Sequence, residues 1–139
     1  MRDIGRNVLA AVGISPGSLA VGTTSGNGVA AVDTVGFHDV LVMRSCGTVP
    51  AGATLDVKVQ ESDDGLTNWL DIPGAAFPTA SPTDQNTVMQ GRIKMTPSRK
   101  RYLQAVATVA GSAATAGVAF VLSDPNNAQV IEPAFSVIS

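Results

Sequence analysis

The chain has 139 residues, a net charge of −2, one cysteine and one histidine. That length is one domain with a core large enough to fold without disulfides. The slightly acidic balance argues against a nucleic-acid-binding protein, and an aromatic content of 4% argues against a stacking platform for single strands.

Charged residues make up 14% of the chain, well below the roughly 25% of an average soluble domain. Ala and Val dominate the apolar residues. A core of small side chains suits two closely packed sheets. The weakly charged surface fits either a small structural β domain or a protein covered by neighbours in an assembly.

Residues 1–28 read as an extended arm. Arg2 and Arg6 precede Val8-Leu9-Ala10-Ala11-Val12, but Asp3 and the breaks at Gly13 and Pro16-Gly17 speak against a leader peptide. Val8 to Val12 suggests a short strand, and glycines from Gly13 to Gly28 punctuate a loop. The domain proper is expected over residues 29–123, with strands at 29–33, 37–45, 53–61, 68–72, 86–95, 100–109 and 115–123. In the third of these, Leu55, Val57 and Val59 alternate with Asp56, Lys58 and Gln60, the period of a strand with one buried and one wet face. Ser62-Asp63-Asp64-Gly65 supplies a hairpin turn, and Pro73 to Gln85, with three prolines, reads as a crossing between sheets. The fold class is therefore all-β, an antiparallel β-sandwich or jelly roll of seven to eight strands, with an N-terminal arm and a C-terminal tail. The tail, 124–139, carries Val130, Ile131, Phe135, Val137 and Ile138 and reads as a last strand or a segment docked on a neighbour. Tyr102 to Ser123 lacks charge, but its turn-rich centre marks two strands and a loop, not a membrane span.

No catalytic set emerges, so an enzyme is not expected. Cys46 reads as a small buried hydrophobe, with nothing local tying it to His38. Asp56, Glu61, Asp63, Asp64 and Asp71 gather around one hairpin without the spacing of a calcium loop, so no metal site and no cofactor are expected. Trp69 and Tyr102 offer a sugar platform or, more simply, core and rim aromatics. Arg92, Lys94, Arg99, Lys100 and Arg101 lie within ten residues. They form either a contact patch for an acidic protein surface or the wet face of a strand and its turn. With Val8, Leu9 and Val12 of the arm they are the candidate partner-binding residues.

Val32-Asp33-Thr34-Val35-Gly36-Phe37, Gly47-Thr48-Val49, the run from Leu55 to Gly65, Trp69-Leu70-Asp71-Ile72 and Arg99-Lys100-Arg101-Tyr102-Leu103-Gln104-Ala105 together resemble small structural proteins of tailed bacteriophages. The likeness covers residues 29–123 and is to proteins encoded beside the major capsid protein. It implies a virion component of the head decoration, or cement, type, made in the host cytoplasm and placed on the capsid surface. The implied partners are the major capsid protein and further copies of itself in a homotrimer, with no direct nucleic-acid or membrane contact. Neck, tail and fibre modules and carbohydrate-binding sandwich modules are the alternatives.

Overall fold

The computed structural model describes residues 8–26 and 30–125. They form nine strands: β1 (Val8–Leu19), β2 (Gly22–Ser25), β3 (Val32–Asp33), β4 (Phe37–Cys46), β5 (Thr54–Ser62), β6 (Leu70–Ala76), β7 (Val88–Lys94), β8 (Tyr102–Ala110) and β9 (Ala114–Pro125). The first sheet has the order β1-β9-β4-β7. The second has the order β2-β8-β5-β6, with β3 also on β8. All pairings are antiparallel, so the chain is an all-β sandwich as its alternating runs require.

The core follows from the alternation. Val40 and Val42 of β4 and Val118, Phe120 and Leu122 of β9 face Leu55, Val57 and Val59 of β5 and Leu103, Ala105, Ala107 and Val109 of β8, all buried. Burying each Val or Leu contributes about 1.5–3 kcal/mol. Phe120 is the large member among small ones, and Gly13 makes room for it: a Cβ there would sit 2.3 Å from the ring. A crossing between the sheets is present but starts later than expected: Pro73–Ala76, read as part of it, belong to β6, Ala80 still bridges Leu55 of β5, and only then does the chain enter β7 of the first sheet. Ser81 opens a short 3-10 turn there, Pro82–Asp84, and its backbone N–H donates to Asp84 Oδ2 at 2.9 Å.

Two expectations about the ends change. Val8–Leu19, read as part of an arm outside the domain, is an edge strand whose Ile14 and Leu19 lie in the core. Residues 22–25 also belong to the sandwich, as β2 against β8. Register shifts after Val12 and after Ile14 let β1 absorb Gly13 and Pro16-Gly17, which in sequence look like breakers. The tail beyond residue 125 lies outside the described residues.

The core also holds a charge. Arg44 follows Val40 and Val42 on the inward face of β4 and is completely buried. Its Nη1 donates to the Pro78 carbonyl at 2.8 Å and its guanidinium lies 5.5 Å from the Phe77 ring centre. Its Nε makes no hydrogen bond to the protein. A buried cation without a carboxylate partner among the described residues is costly, and an apolar side chain of similar volume often does as well or better. Arg44→Met is expected to unfold at a urea midpoint equal to or above that of the parent. Phe120→Ala is expected to lose about 3–5 kcal/mol in the same assay.

Candidate functional site: an apolar sheet face beside an ion-paired rim

The five clustered cations do not form one free patch. Arg92 grips Asp39 through Nε and Nη2 at 2.8 and 3.0 Å. Arg101 grips Asp33 with two contacts of 2.7 Å. Lys100 Nζ meets Asp63 at 2.7 Å, and Arg99 lies 3.7 Å from Glu61. Lys94 stands across the ladder from Asp39, which Arg92 already holds. These pairs hold the carboxyls of Asp33 and Asp39 below the usual carboxylate range, first through the arginine hydrogen bonds, against the opposing effect of burial.

Glu61 is the buried hinge of this set. It accepts the Lys100 backbone N–H at 3.0 Å and so ties the Pro97–Arg99 turn to β5. Arg99 and Lys100 thus work mainly as clamps to the β5 hairpin, and Arg101 as a clamp to β3. Tyr102 is clamped too. Arg101 stacks 5.1 Å from its ring centre, and a Cβ on Gly65 would lie 2.9 Å from the ring. That leaves it a poor platform for a sugar.

The acidic hairpin also satisfies itself. Asp64 accepts from the backbone of Leu66 and Thr67 at 2.9 Å each, and from the hydroxyls of Thr67 and Ser62. These hydrogen bonds, the Thr67 backbone first, hold its carboxyl far below the ordinary range. Asp71 takes Gln60 and Lys58, and Asp56 takes Thr79. Among the described residues no three His, Cys, Asp or Glu side chains come together as a metal site. Cys46 is buried, and burial pushes its thiol up, away from a nucleophile. His38 is eight residues away on the same strand, about 26 Å at ~3.3 Å per residue.

The unexpected feature is the outward face of the first sheet. Its rungs read Val12–Ala119–Met43–Gln90 and Ala10–Val121–Leu41–Arg92 across β1, β9, β4 and β7. Residues directly opposite on paired strands share a face. Six apolar side chains from three strands therefore stand side by side, away from the core, and Val12 alone is 46% exposed. Val8, Ser123, Asp39 and Lys94 form the next rung, with Arg92 and Lys94 at the β7 edge. The second sheet has the opposite character. Asp56, Lys58 and Gln60 of β5 pair with Thr108, Val106 and Gln104 of β8 on its outward face. There Gln104 donates to Gln60, Gln60 to Asp71, and Thr23 meets Thr108. One sheet is dressed for water and the other is not.

The structure thus brings Val8, Val12, Arg92 and Lys94 onto one face and sets Arg99, Lys100 and Arg101 apart from it. Leu9 belongs to the inward alternation of β1, where it lies at the open edge with 41% exposure. Ala10, Leu41, Met43, Ala119 and Val121 were missed as site residues. The signal was the unbroken apolar run Val40-Leu41-Val42-Met43, which marks a strand with no wet side.

No protein-family profile matches this chain, and no curated protein matches it. Among solved structures, the PBSX exported protein XepA aligns over the whole chain with a TM-score of 0.60 at 12% identity. The chain spans 45% of XepA's length. A Bacillus endospore appendage protein from disulfide-linked pili aligns at TM-score 0.37 and 10% identity, over 85% of this chain and 89% of its own. A chain from infectious bursal virus derived T=1 particles aligns at 0.32 and 14%, over 86% of this chain and 40% of its own. At these identities the XepA likeness is one of fold, and no argument rests on the other two.

Glu61→Ala orphans the Lys100 amide and the Arg99 guanidinium, and is expected to cost about 1–3 kcal/mol by chemical denaturation. Asp64 favours folding while ionised, so its contribution is complete above the ordinary carboxyl pKa near ~3.9 and fades only as pH falls below it. Its carboxyl carbon is therefore expected to titrate by NMR well below that of a model aspartate.

Proposed function

We propose that this protein is a structural component of a tailed-phage virion, of the decoration type, attached to the capsid lattice through the outward face of its first sheet. The contrast between the two outward faces carries this reading. An apolar sheet face of this kind marks an interaction surface. The phage-protein resemblance of residues 29–123 supplies the setting.

Size sets the mode of attachment. Four strands at about 4.8 Å spacing and seven residues at about 3.4 Å each present a face on the order of 450 Å². That is below the roughly 800 Å² per partner of a stable interface. A single copy therefore binds weakly, and firm attachment requires linked copies acting together. A homotrimer meets this need, with each copy seating one face on a major capsid subunit. The ion-paired Asp39, Arg92 and Lys94 form the polar rim that orients the contact.

A charge at the centre of the face tests the reading. Particles stripped of the protein and rebound with Val121→Glu are expected to show at least tenfold lower occupancy than with the parent chain. Thr108→Glu, on the outward face of the second sheet, is expected to rebind normally. Equal occupancy for both variants would refute attachment through this face.

A further inference from the structure

Between β6 of the second sheet and β7 of the first lie two adjoining hollows of about 160 and 270 Å³, which share Gly74, Ala75, Arg92 and Ile93. The first is walled by apolar side chains, among them Val42, Val59, Phe77, Met89 and Ile93. The second has Lys94 and Arg99 in its lining. An apolar seat therefore opens onto a cationic one.

One residue makes the apolar seat. β7 turns Met89, Gly91 and Ile93 inward, opposite Arg44, Val42 and Val40 of β4. Gly91 has no side chain to offer there, and it lines the first hollow. Glycine weakens a strand interior, and it is found there at bulges, at tight bends or where a ligand comes close. β7 runs beside β4 without a register shift, and the φ of Gly91 is not positive. Crowding within the chain does not demand the glycine either. Among the described residues a Cβ at position 91 would meet only Phe77, at an ordinary 3.8 Å. The Arg44 guanidinium stacks on that ring, 5.5 Å from its centre, and steadies the wall.

We propose that the two hollows together bind one small amphipathic anion, an arylalkanoate: an aromatic ring on a short chain that ends in a carboxylate. Size selects the ring. A cavity of about 150 Å³ in another protein's core takes up benzene, and the first hollow has about 160 Å³. Charge selects the other end. Asp39 holds Arg92 and Glu61 lies by Arg99, whereas Lys94 makes no ion pair among the described residues. One unspent cation calls for a single negative charge. Lys94 is three residues from Gly91, about 10 Å of strand. The flexible lysine stem and a short linker cover that span together. One ring seat beside one free cation suits a small molecule, not a peptide strand.

This inference does not rest on attachment through the first sheet's outward face, and its test uses no capsid. Titrating the full chain with 4-phenylbutanoate is expected to give saturable NMR shifts of the Gly74, Gly91 and Ile93 amides, with a Kd at or below about 1 mM. 4-Phenylbutanol, which lacks the charge, and butanoate, which lacks the ring, are each expected to bind at least tenfold more weakly. Lys94→Gln is expected to remove the preference for acid over alcohol. Gly91→Val fills the seat with a side chain suited to a strand. It is expected to abolish binding while unfolding at the parent's urea midpoint or above it. Should that chain not fold, Gly91→Ala, whose Cβ makes ordinary contact with Phe77, is expected to lose at least threefold in affinity. Any one of four results would overturn the proposal: no saturable shift in the parent, undiminished binding by the folded glycine variant, equal affinity for acid and alcohol, or a preference for the acid that survives Lys94→Gln.

Discussion

The structure depends on β9 being apolar on both sides. From Ala114 to Leu122 it carries no charged residue, and it is paired on both flanks, by β1 and by β4. Inward, Ala116, Val118, Phe120 and Leu122 supply the centre of the core. Outward, Gly117, Ala119 and Val121 supply nothing for water to bind. A central strand of that composition stabilises the sandwich through one face and leaves the other in need of cover. The same requirement explains why β1, despite its glycines and proline, is held in the sheet: it shields the flank of β9, with Pro16 packed directly on Gly117.

Charge is arranged around this apolar spine, not along it. Four of the five basic residues that look like a patch in the sequence are spent on carboxylates of the same domain. Arg101 joins β8 to β3 through Asp33, Lys100 and Arg99 join it to the β5 hairpin, and Arg92 joins β7 to β4 through Asp39. The exposed pairs among these contribute little to stability. Their value is in register and in leaving a polar margin around the apolar face. Arg44 is the exception, a cation drawn into the core beneath Phe77 and Pro78.

Much of this architecture is legible from the residues. Strict alternation in 54–62 and the turn at Ser62–Gly65 yield β5 and its hairpin. Uncharged runs flanking Gly111 yield β8 and β9, and Pro78 and Pro82 mark the crossing, whereas Pro73 falls within β6. What the pattern hides is equally physical. Gly13, Pro16 and Gly17 look like the end of any strand, yet bulges carry β1 past them because its neighbour is long and its anchors, Ile14 and Leu19, are deep. The site is harder still. Adjacency in sequence groups Arg92 with Arg101, whereas pairing sends them to different sheets and to different acids. Five of the six residues of the apolar face are each unremarkable alone, and only the cross-strand register places them together.

A small two-layer domain with one wet face and one dry one suits a protein whose working state is an assembly. Such a surface needs no pocket and no reactive group, only a partner lattice that repeats it. Met43 sits at the middle of the dry face and reports on it chemically. Hydroxyl-radical oxidation of Met43, compared between the isolated protein and the intact particle, tests the account most directly. The account predicts that Met43 is oxidised at least tenfold more slowly in the particle, while Trp69 at the far hairpin is unchanged. Equal oxidation of Met43 in both states would contradict it.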